Sequence, residues 1–227
     1  MNQYNLDSLL AQHFRMIVFG SSGSGKTYYI CNKIIPVLLE KYQAFFVISP
    51  NYNGGVYPKH LPKTTMTIDS TKFHKGDGLP EKLKQIEFVL QSYKKKGVKD
   101  QHGHAIFKYN SCIILDDVLS EKDAKSDELP NMFMRFRHYN CSLIFTSNSC
   151  TRIVSQAMIA NSTHLIHFRF TAKPRNDAKH MIENYIDCKG TEKEIKKEVE
   201  KVYTKYLDEK KYGCLIIDVT NNKIYTN

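Results

Sequence analysis

The chain has 227 residues, 41% of them hydrophobic, enough for one α/β domain with a real core. Its 33 Lys and Arg against 23 Asp and Glu leave a net charge of +10, which favours a polyanionic partner but equally describes a lysine-rich wet surface. No apolar run approaches the roughly 20 residues of a membrane span, and the start Met1-Asn2-Gln3-Tyr4-Asn5-Leu6-Asp7 lacks the pattern of a secretory leader, so a soluble intracellular protein is expected.

Residues 1–14, with apolar Leu6, Leu9, Leu10 and Phe14, read as an N-terminal helix or arm. Met16-Ile17-Val18-Phe19 is an apolar run within a first strand at about 15–20. Directly after it stands Gly20-Ser21-Ser22-Gly23-Ser24-Gly25-Lys26-Thr27, which spells G-x-x-x-x-G-K-T, and a helical pattern runs from Thr27 to about Tyr42. Strand, glycine-rich loop and helix are the context of a phosphate-binding P-loop. Its successive N–H groups form an anion nest, reinforced by the helix N-terminus. Lys26 is placed to reach β- and γ-phosphates, the Thr27 hydroxyl to coordinate Mg2+, and Tyr28 continues the binding segment.

Ala44–Ser49 reads as a second strand, broken by the loop Pro50-Asn51-Tyr52-Asn53-Gly54-Gly55. Residues 56–79 are irregular, with a short strand at Thr65–Ile68. Leu79 to Tyr93 has helical spacing, with Leu83, Ile86, Val89, Leu90 and Tyr93 on one side. Residues 94–104 are basic, glycine-containing and without apolar period, and are expected to form a mobile surface loop.

Cys112-Ile113-Ile114-Leu115 is a third strand, and it ends in Asp116-Asp117. A carboxylate at the carboxyl edge of a parallel sheet stands where ligands bind. Asp116 is the candidate for Mg2+, directly or through water, and Asp117 for orienting or deprotonating an attacking water. A charged loop from Ser120 to Glu128 leads to a helix around 130–138 that carries Arg135 and Arg137. An arginine inserted into a neighbouring subunit's site can stabilise a transferring phosphoryl group; Arg152 is a third candidate. A fourth strand, Ser142–Thr146, ends in Ser147-Asn148-Ser149, which makes Asn148 a candidate sensor of the γ-phosphate and the attacking water.

A short helix near 152–159 precedes a fifth strand at His164–Phe170. Helices at about 174–186 and 191–208 follow, and then a β-hairpin from Leu215–Val219 and Ile224-Tyr225. Cys31, Cys112, Cys141, Cys150, Cys188 and Cys214 show no C-x-x-C spacing and read as small apolar residues in a reducing compartment, not as a zinc site. Strands alternating with helices imply a mostly parallel sheet covered on both faces.

The P-loop, the double acid Ile113–Asp117, the stretch Arg137-His138-Tyr139-Asn140 and Leu143-Ile144-Phe145-Thr146-Ser147-Asn148 occur in that order. Together they resemble the poxvirus-type genome-packaging ATPases of large DNA viruses and virophages, within the FtsK/HerA group of DNA pumps. The resemblance covers about residues 15–170. It implies a RecA/ASCE-like three-layer α/β sandwich with a mostly parallel central sheet and a C-terminal hairpin. It divides a single domain over 1–227 into an arm at 1–14, a nucleotide-binding core at 15–170 and C-terminal helices and hairpin at 171–227.

It further implies ATP on Gly20–Thr27, Mg2+ on Thr27 and Asp116, Asp117 as catalytic acid, and an arginine acting in trans, mapped first to Arg137 and then to Arg135. The implied partners are double-stranded DNA without sequence preference, further copies in a pentameric or hexameric ring, and a capsid protein. The implied place is the cytoplasm of the infected host cell, at the viral factory, or the virion. One departure stands out, because the family's sensor position more often carries glutamine and here it is Asn148. Two alternatives stay open, a P-loop kinase of nucleosides or nucleotides and a nucleotide switch without motor work. The absence of an N-K-x-D motif disfavours GTP for the latter.

Overall fold

In the computed structural model the strands are, in chain order, β1 (Arg15–Phe19), β2 (Ala44–Ser49), β3 (Met66–Asp69), β4 (Lys94–Lys99), β5 (Ala105–Phe107), β6 (Ser111–Leu115), β7 (Cys141–Ser147), β8 (His164–Phe168), β9 (Cys214–Asp218) and β10 (Lys223–Thr226). The structure describes residues 2–10, 13–50, 55–70, 78–99, 105–118, 127–150, 153–171, 173–186 and 190–227. Most of the expected loops at 50–55 and 120–128, together with Arg152 and Cys188, lie outside them.

Eight strands form one sheet in the order β10-β9-β8-β1-β7-β6-β2-β3. The pairs from β8 through to β3 are parallel, and β9 and β10 close one side antiparallel. Every residue of β6, β7 and β8 is buried. That is why these strands read as continuous apolar runs instead of alternating ones.

Helices cover both faces. On one face lie α2 (Leu79–Ser92), α3 (Glu128–Arg135), α4 (Gln156–Ala160), α5 (Lys173–Glu183) and α6 (Glu192–Tyr203), packed around Ile17, Phe19, Phe145 and Leu165. Within α2, Leu83, Ile86 and Leu90 face the core. On the other face, the helix that follows the P-loop and the N-terminal 3-10 turn Leu6–Leu10 pack over Met16, Val18, Ile114 and Ile166. An α1 of three continuous pieces follows the P-loop: Lys26–Tyr29, a π-helical turn Ile30–Ile34, and Ile35–Leu38. Pro36 has no N–H to give the carbonyl four residues back, so the ladder widens just before it. The helix ends at Leu38, earlier than Tyr42.

One expectation is corrected. Residues 94–99 are not a loop: β4 pairs antiparallel with β5 in a two-stranded ribbon, with an irregularity between Lys94 and Lys99. Consecutive exposed lysines leave the sequence of β4 no apolar period to read. Lys94, Lys95 and Lys96 are exposed. The ribbon is anchored at its base by Phe107 on Tyr139 and by Tyr93 on Tyr109, both edge-on. Residues 100–104, the rest of the expected loop, lie outside the described residues.

The five described cysteines are free and buried, as small apolar core residues are. Among the described residues, no helix is long and apolar enough to cross a membrane.

Candidate nucleotide site

The loop leaves the carboxyl end of β1 and turns at three glycines in or beside the left-handed half of backbone space: Gly20 at φ 155°, Gly23 at 73° and Gly25 at 103°. At Gly20 a Cβ would stand 2.6 Å from Ser24 Oγ and 2.7 Å from Phe168 Cβ, so the position is closed to side chains on space as well as on φ. The loop is pinned to its neighbours, with Gly20 N donating to Ser147 O at 3.2 Å and Ser21 N to Arg169 O at 3.2 Å. Helix α1 then begins at Lys26 and gives the loop the partial positive charge of its N-terminus.

Lys26 is buried and folds back over the loop. Its Nζ donates to Gly20 O at 2.7 Å, Ser21 O at 3.1 Å and Asn148 Oδ1 at 2.9 Å. Burial lowers its pKa below the usual lysine value, and Asp117 and Asp116 oppose that shift.

The acid pair comes from β6, with β7 lying between β6 and β1. Asp116 is buried and Asp117 is exposed at the pocket surface. Two hydroxyls hold the Asp116 carboxylate: Thr27 Oγ1 donates to Oδ2 at 3.0 Å and Thr146 Oγ1 to Oδ1 at 2.9 Å. Thr146 Oγ1 also accepts from Asp117 N at 2.9 Å, so one threonine positions both acids. Asp117 sits at φ 55°, a conformation aspartate tolerates better than most residues but still a strained one. Its Oδ1 accepts from Asn148 Nδ2 at 2.8 Å. Asn148 thus joins Lys26 to Asp117, and the shorter amide spans the site despite the missing methylene.

The residues suit Mg2+. Octahedral coordination at about 2.1 Å puts neighbouring ligand oxygens roughly 3 Å apart, and Thr27 Oγ1 and Asp116 Oδ2 already stand 3.0 Å apart. The pocket in front of them has a volume of about 520 Å3. Its floor is the loop with Lys26 and Thr27, and one wall is Asp116, Asp117 and Asn148. Tyr28 and Tyr212 also line the pocket, and make one part of it aromatic.

The candidate arginines do not join this site in their own chain. Both precede the amino end of β7, whereas the P-loop lies at the carboxyl end of the parallel sheet. A strand of seven residues separates the two edges by roughly 20 Å. Arg135 is paired with Glu87 at 3.3 Å and Glu128 at 3.0 Å. Arg137 is exposed and, among the described residues, makes no ion pair; it lies close enough to Arg15 to help lower that residue's pKa, after burial.

Three contributors have no motif to announce them. Thr146 ends an apolar strand and looks like any β-branched residue there. Tyr57 lies buried beside Asp116 in the irregular segment, and burial and that carboxylate push its pKa well up. Tyr212 follows Lys210 and Lys211 in the turn that leads into β9. For Thr146 the one available signal is its place immediately before Ser147-Asn148.

A glycine-rich loop on β1, an acid pair on β6 and a polar sensor strand between them define a P-loop NTPase of the ASCE type. Within that class, the family model for the poxvirus A32 protein matches residues 1–225, and the chain belongs to that family. It is 27% identical over 197 residues to DNA packaging protein OPG160 of Vaccinia virus (strain Copenhagen), a match spanning 85% of this chain and 65% of the vaccinia protein. The corresponding protein of Monkeypox virus is also 27% identical over 197 residues, covering 85% of this chain and 59% of that one. The chain therefore spans somewhat less than two thirds of these relatives.

Among solved structures, the genome packaging NTPase B204 of Sulfolobus turreted icosahedral virus 2 in complex with ATP-gammaS superposes with a TM-score of 0.63 at 21% identity, over 99% of this chain and 98% of that one. B204, the DNA-packaging ATPase of Sulfolobus Turreted Icosahedral Virus, gives 0.62 at 19% identity, over 95% and 97%. At such identities the likeness is one of fold.

Proposed function

We propose that the chain hydrolyses ATP with Mg2+ and uses the energy to drive double-stranded DNA into a viral capsid as a subunit of a pentameric or hexameric ring. The observation that carries this reading is the single hydrogen-bonded network linking Lys26, Asn148, Asp117, Thr146, Asp116 and Thr27. The network is arranged to receive a triphosphate and to hold a water next to a carboxylate. The OPG160 relatives, named as DNA packaging proteins, supply the motor context.

In this mechanism the loop N–H groups and Lys26 bind the phosphates, with Lys26 exchanging the carbonyls of Gly20 and Ser21 for phosphate oxygens. Thr27 and Asp116 would hold Mg2+, which supplies charge neutralisation on the β- and γ-oxygens when bound. Asp117 orients the attacking water and takes its proton, while Asn148 keeps that carboxylate aimed and senses the γ-phosphate through Lys26. Arg137 of a neighbouring subunit, or failing it Arg135, completes the charge on the transferring phosphoryl group. DNA phosphates are met by Lys94, Lys95, Lys96 and Lys99, without base reading. A capsid protein docks the ring, and the work is done in the cytoplasm of the infected cell, at the viral factory.

The test is ATP turnover with and without double-stranded DNA over a range of protein concentrations, at low and at raised salt. Stimulation by DNA at low salt that fades steeply as salt rises is expected, because released counterions drive phosphate contacts. Turnover indifferent to DNA at every concentration contradicts the motor. Phosphoryl transfer to nucleosides with little attack by water points to a kinase instead.

A further inference from the structure

The phosphate-binding part of the pocket is accounted for by the network above; the aromatic part is not. Tyr28 and Tyr212 are 61% and 52% exposed, a poor use of two large rings in a molecule that buries most of its aromatics. The two rings form a loosely stacked pair, with centroids 6.5 Å apart and planes 28° apart. A flat base between two rings needs about 7 Å, two van der Waals contacts of about 3.5 Å.

Both positions are fixed by the fold. Tyr28 is in the first turn of α1, two residues after Lys26. Tyr212 is brought over the loop by the turn at Gly213, where a Cβ would stand 2.1 Å from Tyr206 O, so only glycine makes that turn. Gly25 leaves the space the ring fills: a Cβ there would be 3.0 Å from Tyr212 Cδ1.

We propose that Tyr212 and Tyr28 form an aromatic clamp that holds the nucleobase of the bound nucleoside triphosphate. The inference rests on the nucleotide reading of the site and assigns its unclaimed part. Recognition is by stacking on ring faces, so the clamp tolerates either purine and prefers purines to the smaller pyrimidines.

The test compares ATP with inorganic tripolyphosphate, both with Mg2+, by calorimetry on wild type, Tyr212→Phe, Tyr212→Ala and Tyr28→Ala. Stacking contributes about 1–3 kcal/mol per base, so each alanine variant should weaken ATP roughly five- to 150-fold and leave tripolyphosphate unchanged. Tyr212→Phe should bind ATP like wild type. Equal weakening of both ligands in Tyr212→Ala would mean that the ring only braces the P-loop and would overturn the clamp, as would unchanged ATP binding in both alanine variants. If wild type binds neither ligand, the nucleotide reading itself fails, a separate outcome.

Discussion

The two edges of the central sheet are built differently. At the carboxyl edge, groups from β1, β6 and β7, separated by up to 122 positions in the chain, meet at ordinary hydrogen-bond distances. At the amino edge, basic groups gather without such closure: Arg15 and Arg137 lie near one another, and the lysine-bearing ribbon springs from the same side, between α2 and β6. One edge thus holds a nearly closed reaction site whose own chain supplies no arginine from the expected stretch. The other presents positive charge to whatever lies outside. On the reading proposed above, the charge missing at the first edge would come from the second edge of a neighbouring copy.

Several substitutions break or sharpen this contrast. The largest loss is expected from Lys26→Ala, which removes the cation at the centre of the network and should take turnover below detection in a phosphate-release assay. Asp117→Asn keeps the shape and the Asn148 contact but cannot take a proton. Nucleotide binding should persist while kcat falls about 10²- to 10⁴-fold, and normal turnover would remove Asp117 from catalysis.

Thr146→Val deletes the hydroxyl that orients both acids. A loss of about 10- to 100-fold in turnover is expected, with the fold intact by circular dichroism and ATP still bound; unchanged turnover would make the threonine a mere packing residue.

The smallest effect is on stability. His167 in β8 is fully buried, stacked on Phe19, and burial holds its pKa down to about 3. The unfolded chain binds that proton near pH 6.5, so the native state binds fewer protons between about 3 and 6.5. Stability is therefore full above pH 6.5 and falls as pH drops through that window, by about 1.4 kcal/mol per pH unit for this residue. Replacing it, as in His167→Leu, should flatten the fall of melting temperature between pH 6.5 and 4.5; an identical fall would show that the imidazole is not its source.

The strands and most helices were legible in the sequence because they are either continuous apolar runs or periodic ones. Gly20–Thr27 and Ile113–Asp117 were legible because their chemistry is written in contiguous residues. Thr146, Tyr57 and Tyr212 were not, since each matters only through what the chain brings to it from far away. The β4–β5 ribbon was hidden for another reason: the run of exposed lysines in β4 leaves no apolar pattern. The π-helical turn has a local cause in Pro36, although a widened turn and an early helix end give the same sequence signal.

The claim that the two edges cooperate between subunits is tested most directly by mixing two inactive variants under DNA-stimulated conditions. One carries Lys26→Ala with Arg137 intact, and the other carries Arg137→Ala with an intact P-loop. If Arg137 acts in trans, the mixture hydrolyses ATP although neither variant does so alone, with activity peaking near equal proportions. A mixture as inactive as its parts, in assemblies shown by solution mass to contain both, contradicts the account.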